Sequence, residues 1–231
     1  MATDALINDV LPPLPMELHP NVDHLVTEDD TPVDNIFSEK QQRLLTEPLY
    51  ASWPGPGEDR PFVAMANVAL YFAINQPPYV PDVLLALNVE VPADLWPKSH
   101  RSYFLFEYGK PPDVVIEVVS NSKGGEDSEK LAGYANARVP YYVVFDPDRV
   151  LSAEVLRAYQ LDEFRFRKMD GPVWFPGLGL GLRIWEGQYE NHADTWLRWV
   201  DAEGRLVPTG RERADRLAAK LRRLGVDPEA P

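Results

Sequence analysis

Residues 111–120 read PPDVVIEVVS, a Val- and Ile-rich run with the character of a sheet interior, broken by Asp113 and Glu117. Alternate residues of a strand share a face, so 113, 115, 117 and 119 point one way and 114, 116 and 118 the other. The second set is Val, Ile and Val, a core face. The first set carries both acids. A carboxylate buried there costs several kcal/mol unless a cation, hydrogen bonds or a shifted pKa compensates. The strand therefore demands partners from elsewhere in the chain.

Other apolar segments supply its neighbours. FVAMANVALYF from Phe62 and PDVLLALNV at 81–89 read as strands, separated by Pro-rich turns. GEDSEKLAGYANARV follows as a helix with Leu131, Tyr134 and Ala135 inward, and YYVVFDP at 141–147 as a fourth strand. Strand, helix, strand in that order predicts a parallel crossover. Residues 154–168 alternate apolar and charged positions and predict a hairpin turning near LDE at 161–163, and FPGLGLGLRIW a further extended piece. Beyond it the chain reads as less regular.

Ser38 is the expected N-cap of a helix ending near Pro48. Before it, Pro, Asp and Leu recur without a period, as in an irregular arm available to pack on a neighbour. The tail TGRERADRLAAKLRRLGVDPEAP predicts a helix with Leu217, Leu221 and Leu224 on one face and Gly225 as its C-cap, an element for oligomerisation or docking. A chain of 231 residues accommodates one domain with appendages or at most two small ones. The expected division is an irregular arm over 1–37, an α/β domain over 38–190 and a C-terminal extension with a helix over 191–231.

The chain has no cysteine, which excludes disulfides, thiolate nucleophiles and Cys-based zinc sites. No basic segment followed by a long apolar stretch opens the sequence, and no stretch is long enough to span a bilayer, so a cytoplasmic protein without a membrane partner is expected. A net charge of −13 repels polyanions, so nucleic-acid binding would need local basic patches, metal ions or a partner.

Asp82 opens the strand PDVLLAL, and a neighbouring strand would set it beside Glu117. Two carboxylates converging on one point suit a hard divalent cation such as Mg²⁺, completed by water and phosphate. Such an ion activates water and stabilises charge on a phosphodiester. A cation to orient the nucleophile could come from Lys130, at the start of the following helix, or from Lys123 in the loop before it. Blander readings stand beside these. Asp82 and Asp113 both follow proline and suit turns, Glu117 could pair structurally with Arg138 or Arg101, and Lys130 could be solvated. Tyr134 reads as core rather than catalytic. The four histidines have no metal-binding spacing, and GLGLG at 177–181 lacks the pattern of a dinucleotide loop.

The stretch PDVVIEVVSNSKGGEDSEKLAGYANARVPYYVVFDP resembles the signature of the Uma2 family, with its acidic strand, serine, lysine, tyrosine and VPxY elements in order. The resemblance covers about residues 38–185. It implies a PD-(D/E)XK nuclease-like fold: a restriction-endonuclease-like α/β core, a mixed sheet flanked by helices. It further implies a Mg²⁺- or Mn²⁺-dependent endonuclease acting on DNA, with Asp82 and Glu117 as metal ligands and catalytic acids and Asp113 as a further metal ligand. The lysine expected two residues after Glu117 is Val119 here, and the resemblance implies that Lys130 replaces it as the third catalytic residue. Asn121 and Ala137–Arg138 also depart from the pattern without removing a charge. The alternative is a catalytically inactive nuclease-fold binding module, a homo-oligomer such as a dimer, assembled through the leucine-bearing tail. The acidic charge and Val119 favour it.

Overall fold

In a computed structural model of the chain, residues 12–27, 35–57, 60–120, 125–126 and 128–228 are described. Lys123 and Asn121 lie outside them. Helix α1 (Ile36–Ser52) starts where the Asn35 side chain accepts the backbone N–H of Ser38 at 2.9 Å. The N-cap is thus Asn35 and not Ser38, which lies buried in the first turn. Asparagine reaches the third helical amide as well as serine does, and it has the extended backbone a cap needs. Pro48 sits inside the helix, close to its end as expected.

Strands β1 (Phe62–Ala66) and β2 (Leu70–Tyr71) divide the first apolar segment, with Asn67 at φ 52° breaking it. The order continues through β3 (Val83–Leu87), β4 (Tyr103–Phe104), the short helix α2 (Leu105–Tyr108) and β5 (Val114–Val118). Helix α3 (Glu129–Asn136) leads to β6 (Tyr141–Phe145), then β7 (Leu156–Asp162) and β8 (Arg165–Lys168). Among the described residues these build a six-stranded sheet in the order β1-β3-β5-β6-β7-β8, antiparallel except for the predicted parallel pair β5 and β6 joined by α3. This mixed sheet with its flanking helices is consistent with a restriction-endonuclease-like core.

Both sheet faces are covered. Val83, Leu85, Val114, Ile116 and Val118 pack toward α1 in one cluster, while Leu84, Val115, Val119 and Tyr134 of α3 belong to the other. The acid-bearing face of β5 is therefore as buried as its apolar face.

A second sheet, β9 (Val173–Phe175), β10 (Leu180–Tyr189) and β11 (His192–Val200), corrects the expectation of an irregular chain after residue 185. Its long hairpin pairs Gly181 with Val200 through to Tyr189 with His192 and runs across residue 190. The turn residues Glu190 and Asn191 both have positive φ, the geometry of a two-residue hairpin, without the Asn-Gly or Asp-Gly pair that usually signals one. Leu182, Leu197 and Trp199 join the cluster under α1. Gln41 of α1 holds the edge of β11 by its amide, donating to the Leu197 carbonyl and accepting the Leu197 N–H, each at 2.9 Å.

The arm residues 12–27 carry one 3-10 turn (Met16–Leu18) and pack on their own chain: Leu14 N–H donates to Phe106, and Val22 is buried with Tyr71 and Phe104. The C-terminal helix α4 (Gly210–Arg223) forms as expected, with Thr209 as N-cap; its C-cap is Leu224, and the expected Gly225 follows it at φ 76°. Among the described residues no helix is long and apolar enough to cross a membrane.

Candidate active site

The register places Val83 opposite Ile116 in an antiparallel pair, which sets Asp82 beside Glu117 at one end of the sheet. Asp82 Oδ2 accepts the Val118 N–H at 2.7 Å, and Oδ1 accepts the Gln42 amide at 2.6 Å. Gln42 projects from α1 and also accepts from Asn67 Nδ2 at 2.7 Å. Asn67 follows β1, and its N–H donates to the Asp82 carbonyl. The left-handed turn at Asn67 thus serves the site, and Gln42 holds Asp82 in one orientation. Sequence reading missed Gln42, because a glutamine in an amphipathic helix reads as solvent-facing.

Glu117 is 1% exposed. Its Oε2 accepts Lys130 Nζ at 2.8 Å and its Oε1 accepts the Tyr134 hydroxyl at 2.6 Å. Both donors come from α3, one turn apart, on the face turned to the sheet. Glu117's partners are therefore Lys130 and Tyr134, not Arg138 or Arg101. Tyr134 is core, as expected, and also a direct partner of the acid. Val119, where a lysine was missing, is buried in the same layer.

A third acid joins them. Glu126 is buried, its Oε1 lies 3.4 Å from Lys130 Nζ, and its Oε2 has no hydrogen-bond partner. It precedes Lys130 by one helical turn, a spacing that could have flagged it. Burial pushes the Glu117 carboxyl above its ordinary range, with Glu126 adding to the rise and Lys130 and Tyr134 opposing it. Burial works against the Lys130 charge, but Glu117, Glu126 and Asp82 outweigh it, so Lys130 holds its proton more firmly than a free lysine. The Tyr134 hydroxyl is pushed well up by burial and then by Glu117, and stays a donor.

Asp113 is not brought to this cluster, which corrects its expected role as a metal ligand. It shares a face with Glu117 but stands four residues away, ~13 Å along the strand. Its Oδ2 accepts Lys110 Nζ at 2.6 Å and the Leu87 N–H at 2.7 Å, a buried ion pair that ties the far end of β3 to the turn before β5. Burial raises its pKa against the pull of Lys110.

The donors suit a hard cation. Two buried carboxylates, those of Glu117 and Glu126, meet Lys130, with Asp82 beside Glu117 across the strand pair, and the Glu126 Oε2 is unsatisfied. Among the described residues no group of three or more His, Cys, Asp or Glu side chains is placed to hold a metal ion. Mg²⁺ does not need one, since it is held by one or two carboxylates with water and substrate phosphate making up the rest.

A family model, Uma2, described as "Putative restriction endonuclease", matches residues 28–183, more than half of the chain. The chain belongs to the Uma2 family. Asp82, Glu117, Glu126 and Lys130 all fall inside the Uma2 match, and so does the sheet end that gathers them. No curated protein and no solved structure matches significantly. At the coarse level of the Uma2 description, the chain is assigned to a nuclease family.

Proposed function

We propose that this Uma2 protein is an endonuclease that hydrolyses DNA phosphodiester bonds with Mg²⁺ or Mn²⁺, on a PD-(D/E)XK-type site. Asp82 and Glu117 would hold the ion, with Glu126 the additional acid at its edge. When bound, the ion supplies Lewis acidity, stabilising negative charge on phosphoryl oxygens and activating water. Lys130 keeps its proton, so it acts as an electrostatic partner of the phosphate rather than a general base. Gln42 fixes Asp82, and Tyr134 fixes Glu117. The observation that carries this reading is the meeting of buried Glu117 and Glu126 on one ammonium, with Asp82 held beside Glu117, at a single sheet end. Supercoiled plasmid incubated with the protein and Mg²⁺ or Mn²⁺ tests it. Nicking lost in Glu117→Gln and Lys130→Ala supports the reading, and equal nicking by all three proteins ends it.

One observation favours a catalytically inactive binding module instead: both oxygens of Asp82 and both of Glu117 already accept hydrogen bonds from the protein. Calorimetric titration with Mg²⁺ and Mn²⁺ separates the two. Heat of binding that disappears in Asp82→Asn favours the nuclease, and none in the native protein favours the module.

A further inference from the structure

Helix α4 is fixed at its root and bare along its length. Thr209 and Glu212 form a capping box, and the buried Arg198 grips both Glu212 oxygens at 2.8 and 2.6 Å. The Gly210 N–H donates to Glu47 at 2.8 Å, and Arg213 donates to the Ala51 carbonyl. Glu47 and Ala51 belong to α1, the helix whose Gln42 holds Asp82. Beyond this root α4 buries none of its described residues. A helix of this length gains little stability in water on its own, so its surface awaits a partner.

The composition of α4 opposes that of the rest of the chain. It carries Arg211, Arg213, Arg216, Lys220, Arg222 and Arg223 against Glu212 and Asp215, a surplus of positive charge on a protein of net charge −13. Arg213, Arg216, Lys220 and Arg223 follow at helical spacing along one face, a stripe about 15 Å long. Arg216, Lys220 and Arg223 are exposed and form no ion pair among the described residues, in a chain rich in acids.

We infer that α4 is the protein's grip on the phosphate backbone of duplex DNA. The choice of polyanion rests on the nuclease reading. A body this acidic repels DNA, and a rigid cationic element rooted on the helix that serves the site supplies the missing attraction. Pairing α4 with a second copy of itself would set two positive surpluses against each other, whereas phosphates neutralise them.

Fluorescence anisotropy of a short labelled duplex with the full chain in EDTA tests this without cleavage, so the result does not depend on nuclease activity. The triple variant Arg216→Ala, Lys220→Ala, Arg223→Ala is expected to bind about tenfold more weakly at low salt, with its salt-dependence slope reduced by about two to three. The control Leu217→Ser, Leu221→Ser is expected to bind as the native protein does. Circular dichroism confirms that both variants keep their helix. Absence of native binding, or unchanged affinity and slope in the triple variant, overturns the inference. So does loss of binding in the leucine variant together with dissociation of a dimer by light scattering, which would give the helix to a second copy.

Discussion

Asp82 Oδ2 accepts the backbone N–H of Val118 at 2.7 Å, so the acid that opens β3 is fastened to the residue that follows Glu117 in β5. The two carboxylates are thereby held in register by the sheet itself, and the variants below separate their structural from their chemical work.

Asp82→Asn keeps an oxygen for the Val118 N–H or the Gln42 amide but lowers the charge. It is expected to fold and to lose nicking. Asp82→Ala leaves both donors without their acceptor and is expected to lose about 2 kcal/mol in urea unfolding as well as activity.

Lys130→Ala strips Glu117 and Glu126 of their shared cation. Breaking a fully buried ion pair costs about 3–5 kcal/mol, and the 22% exposure of the Lys130 side chain moves the expected loss to about 2–3 kcal/mol. Added Mg²⁺ is expected to restore part of it in thermal melts, since a divalent ion offsets the same charges.

Glu117 carries a raised pKa in the folded protein, so folding favours its protonated form. Its stabilising contribution is complete below the ordinary glutamate range and is lost as pH rises through its raised value. In EDTA the native melting temperature is expected to decline over that window relative to Glu117→Gln, so the difference between the two curves changes through the window and levels off above it. A constant difference would refute the assignment.

Gly133 allows α3 to lie against Tyr79. A Cβ there would stand 2.1 Å from the Tyr79 hydroxyl oxygen, and Tyr79 in turn packs on Tyr134 at 5.0 Å between centroids. Gly133→Ala is expected to cost about 1–3 kcal/mol and to weaken nicking by displacing the Tyr134–Glu117 contact. In a double-mutant cycle, Tyr79→Ala is expected to recover much of the loss.

The central sheet and its acids were legible because β3, β5 and β6 are short Val- and Leu-rich runs in which a carboxylate is conspicuous. Asp113 was misjudged for a physical reason: parity along a strand tells which face a residue occupies but not how far along it stands. Lys110, three residues earlier, accounts for its burial. Glu126 and Gln42 escaped notice because a loop glutamate and a helix glutamine look solvated until the sheet they meet is known. The β10 and β11 hairpin was hidden by its outer half, where exposed and half-buried positions alternate in β10 but none is fully buried, and by a turn without glycine.

The adjacent glutamines of α1 face different tasks, Gln41 clasping the Leu197 backbone of the second sheet and Gln42 clasping Asp82. One rigid rod therefore serves as the hinge pin for two leaves. Prying the hairpin loose, by heat or by a ligand wedged beneath it, would slacken the acid cluster well before the main sheet came apart, so inactivation should precede global melting.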